Sequence, residues 1–209
     1  MAKVPIAGLV KTRLSPNLSP QQSAELAECF LKDTISKAKS LKNRLIIAYS
    51  PIEKRSYFDC FTNCDLTLVA QTGNCLGERI FNAFAFAFES RLDYILMIGT
   101  DSPTFPGKLL TKGFEILEEN DAVLGKTEDG GFYLIGLRRL DERIFENVDW
   151  SSEKTFVQTK NNLQNLNFSL GELPVWYDID EPKDLERLRQ DEILHEFAPV
   201  TADWLKRQF

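Results

Sequence analysis

The sequence has few of the residues on which several large classes of enzyme and metal site depend. Its 209 residues include a single histidine, His195. Catalytic triads with a histidine base and zinc sites built on histidine pairs are therefore disfavoured. There are four cysteines, Cys29, Cys60, Cys64 and Cys75, and only Cys60 and Cys64 are closely spaced. One close pair is too few for a zinc site, so we interpret the cysteines as free thiols in a reducing compartment.

Long apolar runs and an excess of basic charge are missing as well. No apolar stretch approaches the ~20 residues that span a bilayer, and the amino end lacks the pattern of a secretory signal. The net charge is -6, which argues against a surface for nucleic acid. We therefore expect a cytoplasmic protein that neither binds nucleic acid nor spans a membrane. The length and the 43% hydrophobic content suit one α/β domain over residues 1–209.

The most informative stretch is residues 94–103, YILMIGTDSP. A short apolar run closed by turn residues predicts a strand buried on both faces, as in a parallel sheet. Asp101 follows at the carboxyl end of that strand, where ligands of open α/β sheets bind. A carboxylate in this place can hold a divalent cation, which in turn can hold phosphates. The alternative is a turn aspartate that precedes a Ser-Pro loop.

The segment 3–16 contains two prolines, a glycine and three cations, which predicts a loop. Its cations could wrap a polyphosphate, and its glycine would let the backbone approach closely. The candidate residues are Lys3, Gly8, Lys11, Thr12 and Arg13. The alternative is a solvated basic tail, although such a tail needs no ordered alternation of cations with other residues.

Asp129, Gly130 and Gly131 stand before a predicted strand at 132–137. Asp-Gly is a strong turn signal, so turn chemistry alone can explain the aspartate. In the functional interpretation the glycines let the backbone approach a ligand, and Asp129 contacts its hydroxyls or a metal. Asp129 is also our best candidate for a general base.

The last predicted strand, 175–180, ends in two further acids. A period of two places Trp176, Asp178 and Asp180 on one side of that strand. Asp180 is well placed to cap the helix that starts at Pro182, and this structural role competes with a functional one. Asp178 has no such structural role, so we predict it as the second metal ligand.

Helices and strands alternate along the rest of the chain, which predicts an α/β fold with a mostly parallel twisted sheet and helices on both faces. Ser19 is the expected N-cap of the first helix. The helix at 77–90 is apolar nearly all round and is therefore expected to be buried or at an interface, which leaves a homo-oligomer open. Predicted helices cover 20–41, 53–64, 77–90, 106–119, 151–165 and 181–189. Further predicted strands cover 44–49, 66–70 and 122–125.

Six segments in order resemble the bacterial selenodomain-associated transferase family, a GT-A-type glycosyltransferase-like group. They are GLVKTRLSP (8–16), LGER (76–79), GTDSP (99–103), EDGGFYLIGL (128–137), DWSS (149–152) and DIDEPKDL (178–185). The KTRL and DGG segments also resemble 2-phospholactate guanylyltransferase and, more distantly, molybdenum cofactor guanylyltransferase. The resemblance implies a GT-A-like fold with a nucleotide over the carboxyl ends of the strands and Mg²⁺ or Mn²⁺ at Asp101.

The sequence departs from this family at its amino end. Family chains carry a hydrophobic strand before the segment that begins here at Ala2, and that strand belongs in the middle of the sheet. We expect residues 2–5 at the strand-end side of the sheet, with little or no strand before them. Of three explanations we favour a true start further upstream, because the phosphate loop looks intact. The others are a strand supplied from elsewhere and a decayed remnant.

The function that we expect is metal-dependent transfer from a nucleotide-activated donor, preferably a nucleotide sugar, to a small-molecule acceptor. Lys3, Lys11 and Arg13 would bind the donor phosphates, and Lys11 and Arg13 would neutralise charge on the leaving group. Asp101 and Asp178 would hold the metal, and 129–131 would form the acceptor or sugar side. One alternative is a nucleotidyltransferase that takes an NTP and releases pyrophosphate. The other is a non-catalytic, nucleotide-binding remnant.

Overall fold

The computed structural model describes residues 1–15, 17–61 and 66–209. Its strands in chain order are β1 (Ala2–Lys3), β2 (Leu45–Ser50), β3 (Leu66–Ala70), β4 (Ile95–Ile98), β5 (Ala122–Thr127), β6 (Phe132–Leu137) and β7 (Leu170–Trp176). They form a parallel sheet ordered β1-β2-β3 and a second sheet ordered β4-β6-β5-β7. The predicted α/β class is confirmed.

The second sheet differs from the predicted, mostly parallel arrangement. Strand β6 runs antiparallel to both β4 and β5, and only β5 and β7 are parallel. The reason lies in the short connection between β5 and β6, where the Asp129-Gly130 turn folds the two strands into a hairpin. The turn chemistry visible in the sequence therefore sets the direction of β6.

The helices are α1 (Pro20–Ser40), α2 (Leu76–Glu89), α3 (Lys108–Glu119), α4 (Thr155–Asn165), α5 (Pro182–Gln190), α6 (Leu194–Phe197) and α7 (Pro199–Gln208). Three 3-10 helices, Thr12–Leu14, Ile52–Phe61 and Glu142–Phe145, lie between them. The predicted end of the 53–64 helix and Cys64 fall outside the described residues, as does Pro16. In the described ranges, no helix combines the length and the apolar character needed to cross a bilayer.

The start of α1 agrees with the prediction in detail. The Ser19 hydroxyl accepts from the Gln22 N–H at 3.2 Å, and the Gln22 side chain accepts from the Ser19 N–H at 2.9 Å. This reciprocal pair satisfies two backbone donors at the helix start. Asp33, further along the same helix, is 2% exposed and accepts hydrogen bonds from the Val200 N–H, the Thr201 N–H and the Thr201 hydroxyl. The carboxyl-terminal helix α7 is thus capped by a side chain of α1.

A cavity of about 1090 Å³ lies between β2 and β4. At one end of this slot β1 pairs with Tyr49 and Ser50, while the amino group of Met1 donates to the Ile98 carbonyl at 2.9 Å. The first residues therefore bridge both strands, so the slot is one strand wide there. Strand β1 has only two residues, Ala2 and Lys3. Strand β4 is half-buried rather than buried on both faces, because it lines this slot.

Candidate functional site

A second cavity, of about 430 Å³, brings together most of the predicted site residues. It lies at the end of β4 and between the amino-terminal loop, the hairpin turn and the segment before α4. The predicted residues that line it are Lys3, Lys11, Thr12, Arg13, Asp101, Asp129 and Gly131. Gly8, Gly130 and Asp178 do not contribute to its lining.

One backbone hydrogen bond joins the two chain segments that carry the central acids. The Ile179 N–H donates to the Asp101 carbonyl at 2.9 Å, and Ile179 is fully buried. The segment 177–181 is not the predicted strand, since β7 ends at Trp176. Anchored in this way, the segment presents Asp180 beside Asp101, and both side chains remain about half exposed.

Lys11 connects these two carboxylates. Its ammonium forms an ion pair with Asp101 and donates to Asp180 Oδ1 at 2.8 Å and to the Ile179 carbonyl at 2.7 Å. Its side chain is only 7% exposed. Burial by itself lowers the pKa of Lys11, but the charges of Asp101 and Asp180 outweigh burial and raise it. The lysine is therefore held as a cation inside the site.

Asp180 does not have the helix-capping role that its position before Pro182 predicts. In the structure Glu181 is the N-cap of α5, and the Asp184 side chain accepts from the Asp180 N–H and the Glu181 N–H. The carboxylate of Asp180 is thus available to Lys11. The capping prediction is wrong because Glu181, which directly precedes Pro182, is the N-cap, and Asp184 supplies the acid at the third position of the helix.

Asp178 belongs to the same acidic region. Burial raises the pKa of its carboxyl to about 7, and repulsion from Asp129 and Asp180 adds to this rise. A nearby cation would strongly stabilise the charged form of a carboxyl group in this environment. Its predicted role as a metal ligand stays a prediction.

The turn at Asp129 explains part of that residue's role. Its Oδ1 accepts from the Thr127 hydroxyl at 2.5 Å and from the Gly131 N–H at 3.0 Å. Gly130 has φ +92°, and a Cβ there would lie 2.2 Å from the Glu153 carbonyl oxygen. Gly130 thus serves close packing against the segment before α4, whereas Gly131 borders the cavity.

The amino-terminal loop supplies three further groups to the cavity wall. Lys3 donates to the Leu9 carbonyl at 2.7 Å, which closes the loop. Thr12 and Arg13 are exposed on a 3-10 turn that the fully buried Leu14 anchors. Among the described residues Arg13 forms no ion pair, so its guanidinium is free to meet an anion.

Sequence reasoning missed the wall formed by residues 150–152. The DWSS segment was read as a helix start, but α4 begins at Thr155, and Ser151 has φ +62°. Trp150 packs against α2 so closely that a Cβ at Gly77 would lie 2.7 Å from its indole nitrogen. The glycine of the LGER segment therefore lets Trp150 reach the cavity.

A buried lysine, also missed, supports the loop that follows Asp101. The Lys37 ammonium donates to the Pro103 carbonyl at 2.7 Å and to the Phe105 carbonyl at 2.6 Å. Burial lowers its pKa to about 8. Mid-helix position and helical spacing gave no signal for this role, because its partners lie 66 residues or more away in sequence.

The oxygens around Lys11 offer a test of whether the site fits a divalent cation. Two carboxylates and one backbone carbonyl converge on its ammonium, which marks a cation position. Mg²⁺ needs only one or two carboxylates when substrate phosphates and water complete its shell. In the described ranges, no group of three His, Cys, Asp or Glu residues is placed so that it could hold a metal ion by itself. The donor set therefore fits a cation that arrives with phosphates.

Comparison with solved structures relates this architecture to nucleotide-using enzymes. A candidate nucleotide-diphospho-sugar transferase from Desulfovibrio desulfuricans G20 is 28% identical, with a TM-score of 0.91 over 99% of this chain and 92% of that one. A 4-diphosphocytidyl-2C-methyl-D-erythritol synthase from Anaerococcus prevotii DSM 20548 is 12% identical, with a TM-score of 0.56 over 89% and 94% of the two chains. A cytidylyltransferase from Leptospira borgpetersenii is 13% identical, with a TM-score of 0.56 over 99% and 90%. The last two likenesses concern the fold alone.

Sequence comparison adds a family. No curated protein matched the chain. Residues 33–152, more than half of the chain, match a family described as an uncharacterized protein conserved in bacteria. The match includes Asp101 and Asp129, but it begins after the amino-terminal loop. The chain belongs to the DUF2064 family.

Proposed function

We propose that this chain is a metal-dependent transferase that uses a nucleotide-activated donor, and that the donor is a nucleotide sugar. The observation that carries the proposal is the convergence of Asp101 and Asp180 on one cation position, next to a loop that presents Arg13. The likeness to the Desulfovibrio protein supports the donor class. The resemblance to selenodomain-associated transferases is part of the same proposal.

The roles of the chain's own residues follow from charge and exposure. Arg13 is exposed at the cavity and binds the donor phosphates, for which its planar fork of donors is suited. Lys11 and Lys3 add positive charge on the same side, which stabilises negative charge that develops on the leaving group. The hairpin turn with Asp129 and Gly131 borders the sugar or the acceptor, and Asp129 Oδ2 is the candidate base.

Mg²⁺ or Mn²⁺ would be held by Asp101 together with Asp180 or Asp178, and would act as a Lewis acid on the phosphates. Asp101 would remain tied to the segment of Asp180 through the Ile179 N–H. This bond fixes the separation of the two strand ends. The chain thereby orients its carboxylates before any ligand binds.

The first alternative is nucleotidyl transfer, in which the same loop binds an NTP and pyrophosphate leaves. This alternative is supported by the likeness in fold to a 4-diphosphocytidyl-2C-methyl-D-erythritol synthase and to a cytidylyltransferase. The second alternative is a nucleotide-binding remnant without catalysis. The observation that supports it is the slot between β2 and β4, where, among the described residues, a strand of the sheet is missing.

A thermal-shift screen of nucleotides and nucleotide sugars with Mg²⁺ or Mn²⁺ identifies the ligand. A ligand selective for the folded state adds ~2.7 kcal/mol at a hundred times its Kd. Product analysis with the best ligand then separates the three functions. Nucleoside diphosphate indicates glycosyl transfer, pyrophosphate indicates nucleotidyl transfer, and binding without turnover indicates the remnant. A screen in which no nucleotide compound shifts the melting temperature contradicts all three.

A further inference from the structure

Lys11 occupies a position that is unusual for a residue expected to bind phosphate. Its ammonium is directed away from bulk solvent and contacts three oxygens from two strand-end segments, those of Asp101, Asp180 and Ile179. Its side chain is 7% exposed, whereas the two carboxylates are 53% and 41% exposed. The cation is thus buried beneath the acids that it neutralises.

The backbone is adapted to this placement. Lys11 has φ +47° and ψ +36°, the left-handed conformation that non-glycine residues rarely adopt. The residues around it are held independently, since Val10 and Leu14 are buried. In this conformation the ammonium makes its three contacts.

The position of the ammonium is also the position that a metal would need. A divalent cation bound by Asp101 and Asp180 requires the oxygens that Lys11 already uses, and two cations cannot share them at this range. The phosphates of a nucleotide offer the ammonium an alternative partner. When that partner is present, the carboxylates become free for the metal.

We propose that Lys11 is an internal counter-cation, which blocks the metal position until nucleotide phosphates draw the ammonium away. This inference rests on the proposed function and adds a binding order to it. Metal alone binds weakly, nucleotide and metal bind with positive coupling, and the coupling runs through a single side chain. By linkage, the factor by which nucleotide strengthens metal binding equals the factor by which metal strengthens nucleotide binding.

The test is calorimetric titration of Mn²⁺ into the full chain without nucleotide. Lys11→Met removes the charge and keeps the length of the side chain, and we expect Mn²⁺ to bind at least about tenfold more tightly than to the unmodified protein. Lys160→Met is the matched control, because it removes a lysine from an ion pair with Glu172 outside the site. The control should bind Mn²⁺ as the unmodified protein does.

A second variant shows where any gain arises. Lys11→Met combined with Asp101→Asn should lose the added Mn²⁺ affinity, since the gain depends on that carboxylate. If Lys11→Met folds poorly, Lys11→Gln keeps a donor for the Ile179 carbonyl, and its melting temperature should rise with Mn²⁺ more than that of the unmodified protein. Equal Mn²⁺ affinity of the unmodified protein and both Lys11 variants overturns the inference.

The proposed function is tested separately in the same experiment. If nucleotide diphosphate strengthens Mn²⁺ binding to the unmodified protein but Lys11→Met shows no gain without nucleotide, the transferase proposal survives and the counter-cation is overturned. If Lys11→Met shows the gain while no nucleotide binds to any variant, the block of the metal position by Lys11 is supported, whereas its release by nucleotide phosphates and the transferase proposal both fail.

Discussion

The slot between β2 and β4 predicts that an apolar extension before Met1 should stabilise the protein. The perturbation is a fusion of five residues, Val-Ile-Phe-Val-Ile, to the amino group that now donates to the Ile98 carbonyl. The fusion replaces a buried ammonium, whose pKa burial lowers to about 6, by a neutral peptide N–H that can make the same hydrogen bond. By the register of β1, the five added residues would lie opposite residues 43–47, next to β2, and along β4.

The magnitude follows from the two open strand edges. About half of the backbone groups of four residues on each side face the slot, which gives about eight groups. Hydrogen bonds to them contribute ~0.5–1.5 kcal/mol each, which about offsets the ~1–2 kcal/mol per residue of ordering five residues. Burial of the added side chains contributes at most roughly 1.5–3 kcal/mol each, and this contribution makes the extension stabilising on balance. A net gain of about 3–5 kcal/mol would raise the melting temperature by roughly 6–20 °C.

The assay is thermal and urea unfolding of the extended and unextended chains at pH 7. The matched control carries the same extension with its second and fourth residues replaced by proline, which removes ladder donors while keeping apolar character. We expect the control to gain much less. A melting temperature that the apolar extension leaves unchanged, or that both extensions raise equally, would refute the strand-slot reasoning.

Three further predictions concern the candidate site. Asp101→Asn keeps the shape of the side chain but removes its charge. Metal-dependent nucleotide affinity should therefore fall by a factor that corresponds to roughly 2–5 kcal/mol. Unchanged affinity in calorimetry would show that Asp101 is not a metal ligand. Arg13→Ala and Lys11→Ala should each weaken binding of a nucleoside diphosphate by roughly 1.5–3 kcal/mol and leave binding of the bare nucleoside nearly unaffected. Equal losses of affinity for the two ligands would count against a phosphate-binding loop. Because the pKa of folded Lys37 is about 8 and its ordinary value is 10.5, the folded state binds fewer protons between these values. The free energy of unfolding should therefore rise with pH over this window by up to roughly 3 kcal/mol, and Lys37→Met should lose that rise in urea titrations.

The sequence predicted most elements because their signals are local. The Ser19 cap, the hairpin turn at Asp129 and the apolar runs of β2, β3 and β6 each depend on neighbouring residues. The Asp129-Gly130 turn signal by itself predicts that β6 runs antiparallel to β5. The alternation of helices and strands along the chain favours a parallel sheet, and that general pattern gave the wrong direction for β6.

The candidate site was only partly predictable, because its geometry depends on contacts between distant segments. The sequence pattern places Asp178 and Asp180 on the same side of a predicted strand. In the structure β7 ends at Trp176, and the hydrogen bond from the Ile179 N–H to the Asp101 carbonyl holds the following segment so that Asp180 contacts Lys11. Lys37 and Trp150 act through partners that no periodicity reveals. Tertiary contacts of this range become visible only when the strand ends are placed together.

The capping of α7 by Asp33 has a consequence for the carboxyl end of the chain. If residues 199–209 detached, Asp33 would lose its three donors, and the apolar cluster that Ala202, Trp204 and Leu205 share with α1 would be exposed to water. The same cluster contains Leu14 of the amino-terminal loop, Phe30 of α1 and Ile179, whose N–H donates to the Asp101 carbonyl. Detachment of the tail would therefore remove packing that supports the site cavity, which Phe30 lines, and proteolytic trimming of the tail should weaken ligand binding there.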